Sequence, residues 1–224
     1  MASKNSLSDF TMDFAEVAPT MFEDGVELDT EVSLRVLANM TVHKMRRIQS
    51  EIALEQELPW HWEPNVSYHC ISTGDVDGLT YFRAAVKQQK IHYALLATWS
   101  MAAEDIRELH HWVNRGYIGR LDIYVGEMFL SAGRTLERRG LINLCRDAGG
   151  RLVIFRTHSK IMVVFGEKFD CVIEGSANIN TNPRTEQMVI TVNSELAKFY
   201  KEYFDEIKSF ERNFDEVKPW QPES

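Results

Sequence analysis

The chain has 224 residues, of which 44% are hydrophobic and 26% charged, with a formal net charge of −8; that suits one globular domain with an extension. Its apolar runs fall far short of the roughly 20 residues that span a bilayer, which excludes stable membrane insertion, and three widely spaced cysteines (Cys70, Cys145 and Cys171) exclude a disulfide framework and show no metal-ligand pattern. The first ten residues, MASKNSLSDF, hold no apolar signal core, so the expected setting is cytoplasmic.

Residues 1–29 are acidic, with scattered Phe and Met and no period, and read as an arm. A helix is predicted over 30–57. Thr30 can cap it, and Val32, Val36, Met40, Met45, Ile48 and Ile52 recur near helical spacing, with Leu37 widening the stripe. This helix packs on its own domain or docks a protein partner through residues 1–57. His43-Lys44-Met45-Arg46-Arg47 forms a small basic cluster on it. Pro59 and Pro64 end it, and Trp60 and Trp62 between them are expected to cover the domain edge, a base-stacking platform being the alternative. Residues 1–65 are therefore read as an acidic arm with a helical extension, and 66–224 as the main domain with a C-terminal helix.

From residue 66 strands and helices alternate. VSYHCIS is a predicted strand, and Thr73-Gly74-Asp75 opens a helix through LTYFRAAVKQQ. IHYALLATWS is the next strand, AAEDIRELHHWVNRG a helix ending at Gly116, RLDIYV a strand, and AGRTLERRGLINLCRDAGG contains a helix. The run RLVIFRTHSKIMVVF reads as strand, Gly166-Glu167-Lys168 as a hairpin turn, and FDCVIE as the return strand. QMVITV is a late strand, and SELAKFYKEYFDEIKSFERNF a long C-terminal helix. This order predicts an α/β fold, a mixed β-sheet sandwiched by helices.

Charge is uneven along the chain. Residues 1–65 hold five Lys/Arg against twelve Asp/Glu, residues 66–193 fifteen against thirteen, and residues 194–224 five against eight. A mildly basic centre between acidic arms suits an anion held locally, and makes nucleic-acid binding weak and salt-sensitive. Several charged features have plainer readings. His110 and His111 are adjacent on a helix and do not share a face, a poor zinc site. Arg134, Arg138, Arg139 and Arg146 read as a solvated helix face before a guide for a phosphate backbone. Asp75 and Asp77 suit helix capping better than metal binding.

The residues that carry chemistry lie between 158 and 186. On a strand, His158 and Lys160 project to the same face and Ser159 to the other. An imidazole beside an ammonium makes a phosphate site: lysine brings fixed charge and three donors, histidine a nucleophile or acid–base group near neutral pH. At the end of the return strand stands Gly175-Ser176-Ala177-Asn178. Gly175 lets backbone approach an anion, Ser176 and Asn178 offer polar side chains, and turn N–H groups can hold phosphate oxygens. Glu186 can bond an imidazole nitrogen and fix its tautomer, as the carboxylate of a hydrolase triad does. Arg184 can reach a second phosphate or pair with an acid.

This combination resembles the phospholipase D superfamily, whose signature is HxKxxxxD followed by GSxN and a downstream glutamate, and in particular its dimeric single-motif bacterial endonucleases. The resemblance is strongest over 158–186, with a looser match in element order over roughly 66–193. It implies that His158 attacks phosphorus to form a phosphohistidine, that Lys160 and Asn178 bind the non-bridging oxygens with help from Ser176, and that Glu186 orients His158. It implies neither metal nor cofactor. One position departs: Phe165 stands where the pattern has aspartate. No other histidine is followed by lysine two residues later. The second histidine must then come from another subunit, so the expected assembly is a homodimer. The expected function is a metal-independent phosphodiesterase acting on nucleic acid. The alternatives are a lipid hydrolase or transferase of the same type, and a catalytically silent module for binding or assembly.

Overall fold

The computed structural model describes residues 48–74, 76–180 and 184–222. The predicted arm 1–29, the first part of the predicted helix 30–57 with its basic cluster, and Asp75 lie outside them. The described residues all fall in the compact unit Val42–Ser224.

The described part of the first helix, α1, is 48–57. Its Leu54 enters the core. Glu51 pairs with Arg83 and Lys87 at 2.7 Å each, and Glu55 with Lys87 at 2.5 Å. This part of the helix therefore packs on its own domain. Trp62 is 5% exposed and lies against Tyr68 and Phe169, whereas Trp60 is 77% exposed, so only one of the two tryptophans covers apolar surface.

The strands are β1 (Ser67–Ser72), β2 (Ile91–Thr98), β3 (Ile118–Gly126), β4 (Leu152–Phe155), β5 (Ile161–Gly166), β6 (Asp170–Gly175) and β7 (Glu186–Thr191). They form one sheet in the order β1-β7-β6-β5-β2-β3-β4. β2, β3 and β4 run parallel; β5, β6, β7 and β1 join antiparallel. The parallel part arises because helices α3 (Ala103–Asn114) and α4 (Thr135–Asp147) connect its strands, while α2 (Gly78–Gln88) leads from β1 into β2.

Alternation along the strands feeds two cores. Ala94, Leu96, Met162, Val164 and Ile173 face α2, α3 and α4. Tyr93, Leu95, Val163, Phe165 and Val172 face the last helix, α5 (Ser194–Asp205). The predicted mixed sheet with helices on both faces is the observed fold. Asp77 caps α2, accepting the Thr80 N–H at 2.8 Å. Gly116, at φ +74°, follows the end of α3. Among the described residues no helix is long and apolar enough to cross a membrane.

Two elements differ from their predictions. The run 151–165 is not one strand: β4 stops at Phe155 and β5 starts at Ile161 on the other side of β2. His158 and Lys160 thus sit on a connecting segment. The predicted C-terminal helix ends at Asp205. Beyond it, Ser209 Oγ accepts the Ile154 N–H at 3.0 Å and the Phe210 N–H donates to the Ile154 carbonyl at 2.8 Å. These bonds satisfy the open edge of β4, which outweighs the helical pattern of the segment. Trp220 then stacks on Tyr93, with centroids 4.7 Å apart and planes 6° from parallel.

Candidate active site

To pass from β4 to β5 the chain crosses the ends of β3 and β2. The carbonyl of Thr157 passes over Gly126, the last residue of β3, where a Cβ would stand in ordinary contact at 3.5 Å from it. His158 follows and meets Trp99, the residue after β2, with ring centroids 5.6 Å apart. Lys160 is 7% exposed. Its ammonium lies 3.0 Å from Nδ1 and 3.3 Å from Nε2 of His158, and donates to the His158 carbonyl at 2.7 Å. Near-equal approach to both ring nitrogens means that it is not aligned on one lone pair. The two side chains meet as expected, but through a turned segment and not through strand alternation. Burial pushes the Lys160 ammonium below the ordinary lysine range, and the charge of Glu186 partly offsets this.

The second half of the motif is delivered by the β5–β6 hairpin. The Gly175 N–H donates to the Lys160 carbonyl at 3.2 Å, which places the start of one half against the start of the other. Glycine is needed at 175 because β7 passes close by: a Cβ would lie 2.1 Å from the Gln187 carbonyl oxygen. Ser176 Oγ donates to Glu186 Oε2 and accepts the Gln187 N–H at 3.0 Å. Glu186, the first residue of β7, is 8% exposed. Asn178 accepts the Gly78 N–H on its carbonyl at 2.8 Å, which ties the turn to the start of α2. Its side-chain Oδ1 is buried without a hydrogen-bond partner.

His158, Ser159, Lys160, Glu174, Ser176 and Gln187 line an open cleft of about 430 Å³. Polar groups of both motif halves converge there, with Glu186 joined through Ser176. Arg184 is exposed and does not line the cleft. Another cavity, about 460 Å³ around Arg151, Asp205 and Arg212, contains none of the motif residues. Two neighbours of the site carry no motif signal. Glu174 lines the cleft with its carboxylate held by the Tyr200 hydroxyl at 2.5 Å, and Trp99 is legible only as the last residue but one of a predicted strand. Among the described residues no group of three His, Cys, Asp or Glu is placed to hold a metal ion. His110 instead meets Asp147 at 2.6 Å, joining α3 to α4, and Arg134 and Arg138 pair with Glu137 and Glu211.

No protein-family model matches the chain, and no curated protein matches it. In fold it is similar to solved structures. A phospholipase D family member, Nuc from Salmonella typhimurium, superposes with a TM-score of 0.47 at 18% identity, over 62% of this chain and 91% of that one. Polyphosphate kinase from Porphyromonas gingivalis gives 0.48 at 13% identity over 70% of this chain, and phosphatidylserine synthase from Haemophilus influenzae Rd KW20 gives 0.44 at 14% over 63%. The chain spans 27% and 39% of the length of those two proteins.

Proposed function

We propose that this chain is a phospholipase D-type phosphodiesterase that cuts nucleic acid through a phosphohistidine, as a two-fold homodimer. The observation that carries the reading is the Lys160 ammonium 3.0 Å from Nδ1 of His158, in a cleft that the Gly175–Ser176 turn also lines. A nucleophilic imidazole and a fixed positive charge are the two things that attack on a phosphodiester needs. Lys160 and the amide of Asn178 hold the non-bridging oxygens. Asn178 does so through its Nδ2 hydrogens, because its Oδ1 and a phosphate oxygen are both acceptors. Glu186, anchored by Ser176, stabilises the charged ring.

In the first step a His158 ring nitrogen forms a P–N bond while the P–O bond to the leaving group breaks. The departing oxygen takes a proton from His158 of the partner subunit. In the second step that base removes a proton from water, the water oxygen bonds phosphorus, and the P–N bond breaks. Phe165 does not disturb this scheme. It lies five residues beyond Lys160 on β5, about 17 Å along a strand, and packs against the stacked pair Tyr93 and Trp220.

The test is cutting of plasmid, single-stranded DNA and RNA at low salt in EDTA, by wild type and His158→Ala. Cutting that survives EDTA and falls more than about a thousandfold in the variant is expected. Equal cutting by both proteins refutes the role of His158. Headgroup release from lipid vesicles without nucleic-acid cutting refutes the substrate. Full activity in a strictly monomeric form, by sedimentation at the assay concentration, refutes the dimer.

A further inference from the structure

The turn after β2 is buried except at its largest side chain. Thr98, Ser100 and Met101 are 0%, 7% and 0% exposed, while Trp99 between them is 41% exposed. A tryptophan carries more apolar surface than any other residue, and leaving it open beside a polar cleft has no packing benefit. The indole is nevertheless firmly seated. It rests on Gly126, where a Cβ would stand 3.1 Å from its Cδ1, and its ring centroid is 5.6 Å from that of His158, with planes 48° apart.

We infer that Trp99 is a stacking platform for an unpaired base of the nucleotide next to the bound phosphate, so that the substrate is single-stranded nucleic acid. The inference rests on the nuclease reading of the same site. A base is joined to its phosphate through one sugar, a span comparable to the separation of the two rings. Phosphorus bound at His158 therefore brings a flanking base over the indole. Within a duplex both faces of that base are occupied by its neighbours, so only an unpaired or frayed strand can use the platform. Every base has a π-face, which makes such a contact tolerant of sequence.

The experiment compares full-length wild type, Trp99→Ala and Trp99→Phe on three substrates: a single-stranded oligonucleotide, its duplex, and the single strand with abasic residues flanking the cut site. Wild type is expected to show a KM about tenfold lower on the base-bearing strand than on the abasic one. Trp99→Ala is expected to lose that discrimination, and Trp99→Phe to regain most of it. A Trp99→Ala variant that cuts more slowly but still prefers the base-bearing strand tenfold overturns the inference and leaves the nuclease reading standing, since Trp99 then acts only by positioning His158. Wild type that cuts duplex as well as single strand overturns it too. Wild type that cuts no oligonucleotide and releases headgroup from phosphatidylcholine vesicles overturns the nuclease reading and this inference together.

Discussion

The turn of the β5–β6 hairpin is held by one side chain from another element, and this allows a prediction with a definite sign. Gln89, 6% exposed, follows α2. Its Oε1 accepts the N–H groups of Lys168 and Phe169 at 2.8 and 3.0 Å, and its Nε2 donates to the Phe169 carbonyl at 2.9 Å. At about 1 kcal/mol net for each bond, and slightly less where the turn reaches solvent, Gln89→Ala costs about 2–3 kcal/mol. Gly166 stands against the same amide, and a Cβ there would meet Gln89 Cδ at 2.3 Å and Nε2 and Oε1 at 2.4 Å. Gly166→Ala alone must therefore expel the glutamine and lose the same bonds, another 2–3 kcal/mol or so. In the Gln89→Ala background the new methyl enters vacated space. There it costs nothing, and replacing a strand glycine gives back about 0.5–1 kcal/mol. Urea unfolding of the four proteins at 25 °C measures the cycle, with an expected coupling of about 2.5–4 kcal/mol. Two costs that simply add, leaving the double variant the least stable of the four, would show that the amide does not clamp the turn.

Two further outcomes follow from the site and its surroundings. Lys160 loses its charge at a lower pH than the ordinary 10.5, because burial penalises the ammonium. KM for the diester should therefore rise with alkaline pH earlier than an exposed lysine would make it, and Lys160→Arg, whose charge persists, should remove that rise; an unchanged profile in the arginine variant refutes the assignment. Phe165 fills an apolar slot against Tyr93 and Trp220, at 7% exposure, so Phe165→Ala should cost about 3–5 kcal/mol in urea unfolding and Phe165→Asp more, since it adds a buried carboxylate. An aspartate variant as stable as wild type refutes the packing account.

The sequence pattern carried most of the sheet. β1, β2, β3 and β7 are short runs with strong alternation or full burial, and Gly116 and Asp77 punctuate helices by local chemistry that a sequence displays. What failed did so for tertiary reasons. The run 151–165 is apolar enough for one strand, and nothing local marks a crossover at 156–160; the break exists because β4 pairs with β3 while β5 must reach the far side of β2. The helical period continues past Asp205, yet the edge of β4 takes the backbone. In the site, the proximity of His158 to Lys160 was legible from spacing. The need for glycine at 175 was read as access for an anion, whereas the structure shows β7 in that space. Trp99 was invisible because its meaning depends on a segment almost sixty residues later.

The hairpin also explains how a linear motif becomes a site. Antiparallel pairing sets Ile161 opposite Glu174 and Phe165 opposite Asp170, so residues that enter β5 meet residues that leave β6. The distance along the chain between Lys160 and Gly175 is thereby cancelled, and the Gly175 N–H reaches the Lys160 carbonyl. Length added at the turn, 167–169, lies at the other end of the hairpin and leaves this contact in place. A single residue inserted within β6 is a different matter. It shifts the register by one, turns every following side chain to the other face, and carries Ser176 away from Glu186. The spacing inside the two strands is thus constrained by the chemistry, while the turn is constrained by its bonds to Gln88, Gln89 and Lys90, and the two can be altered independently.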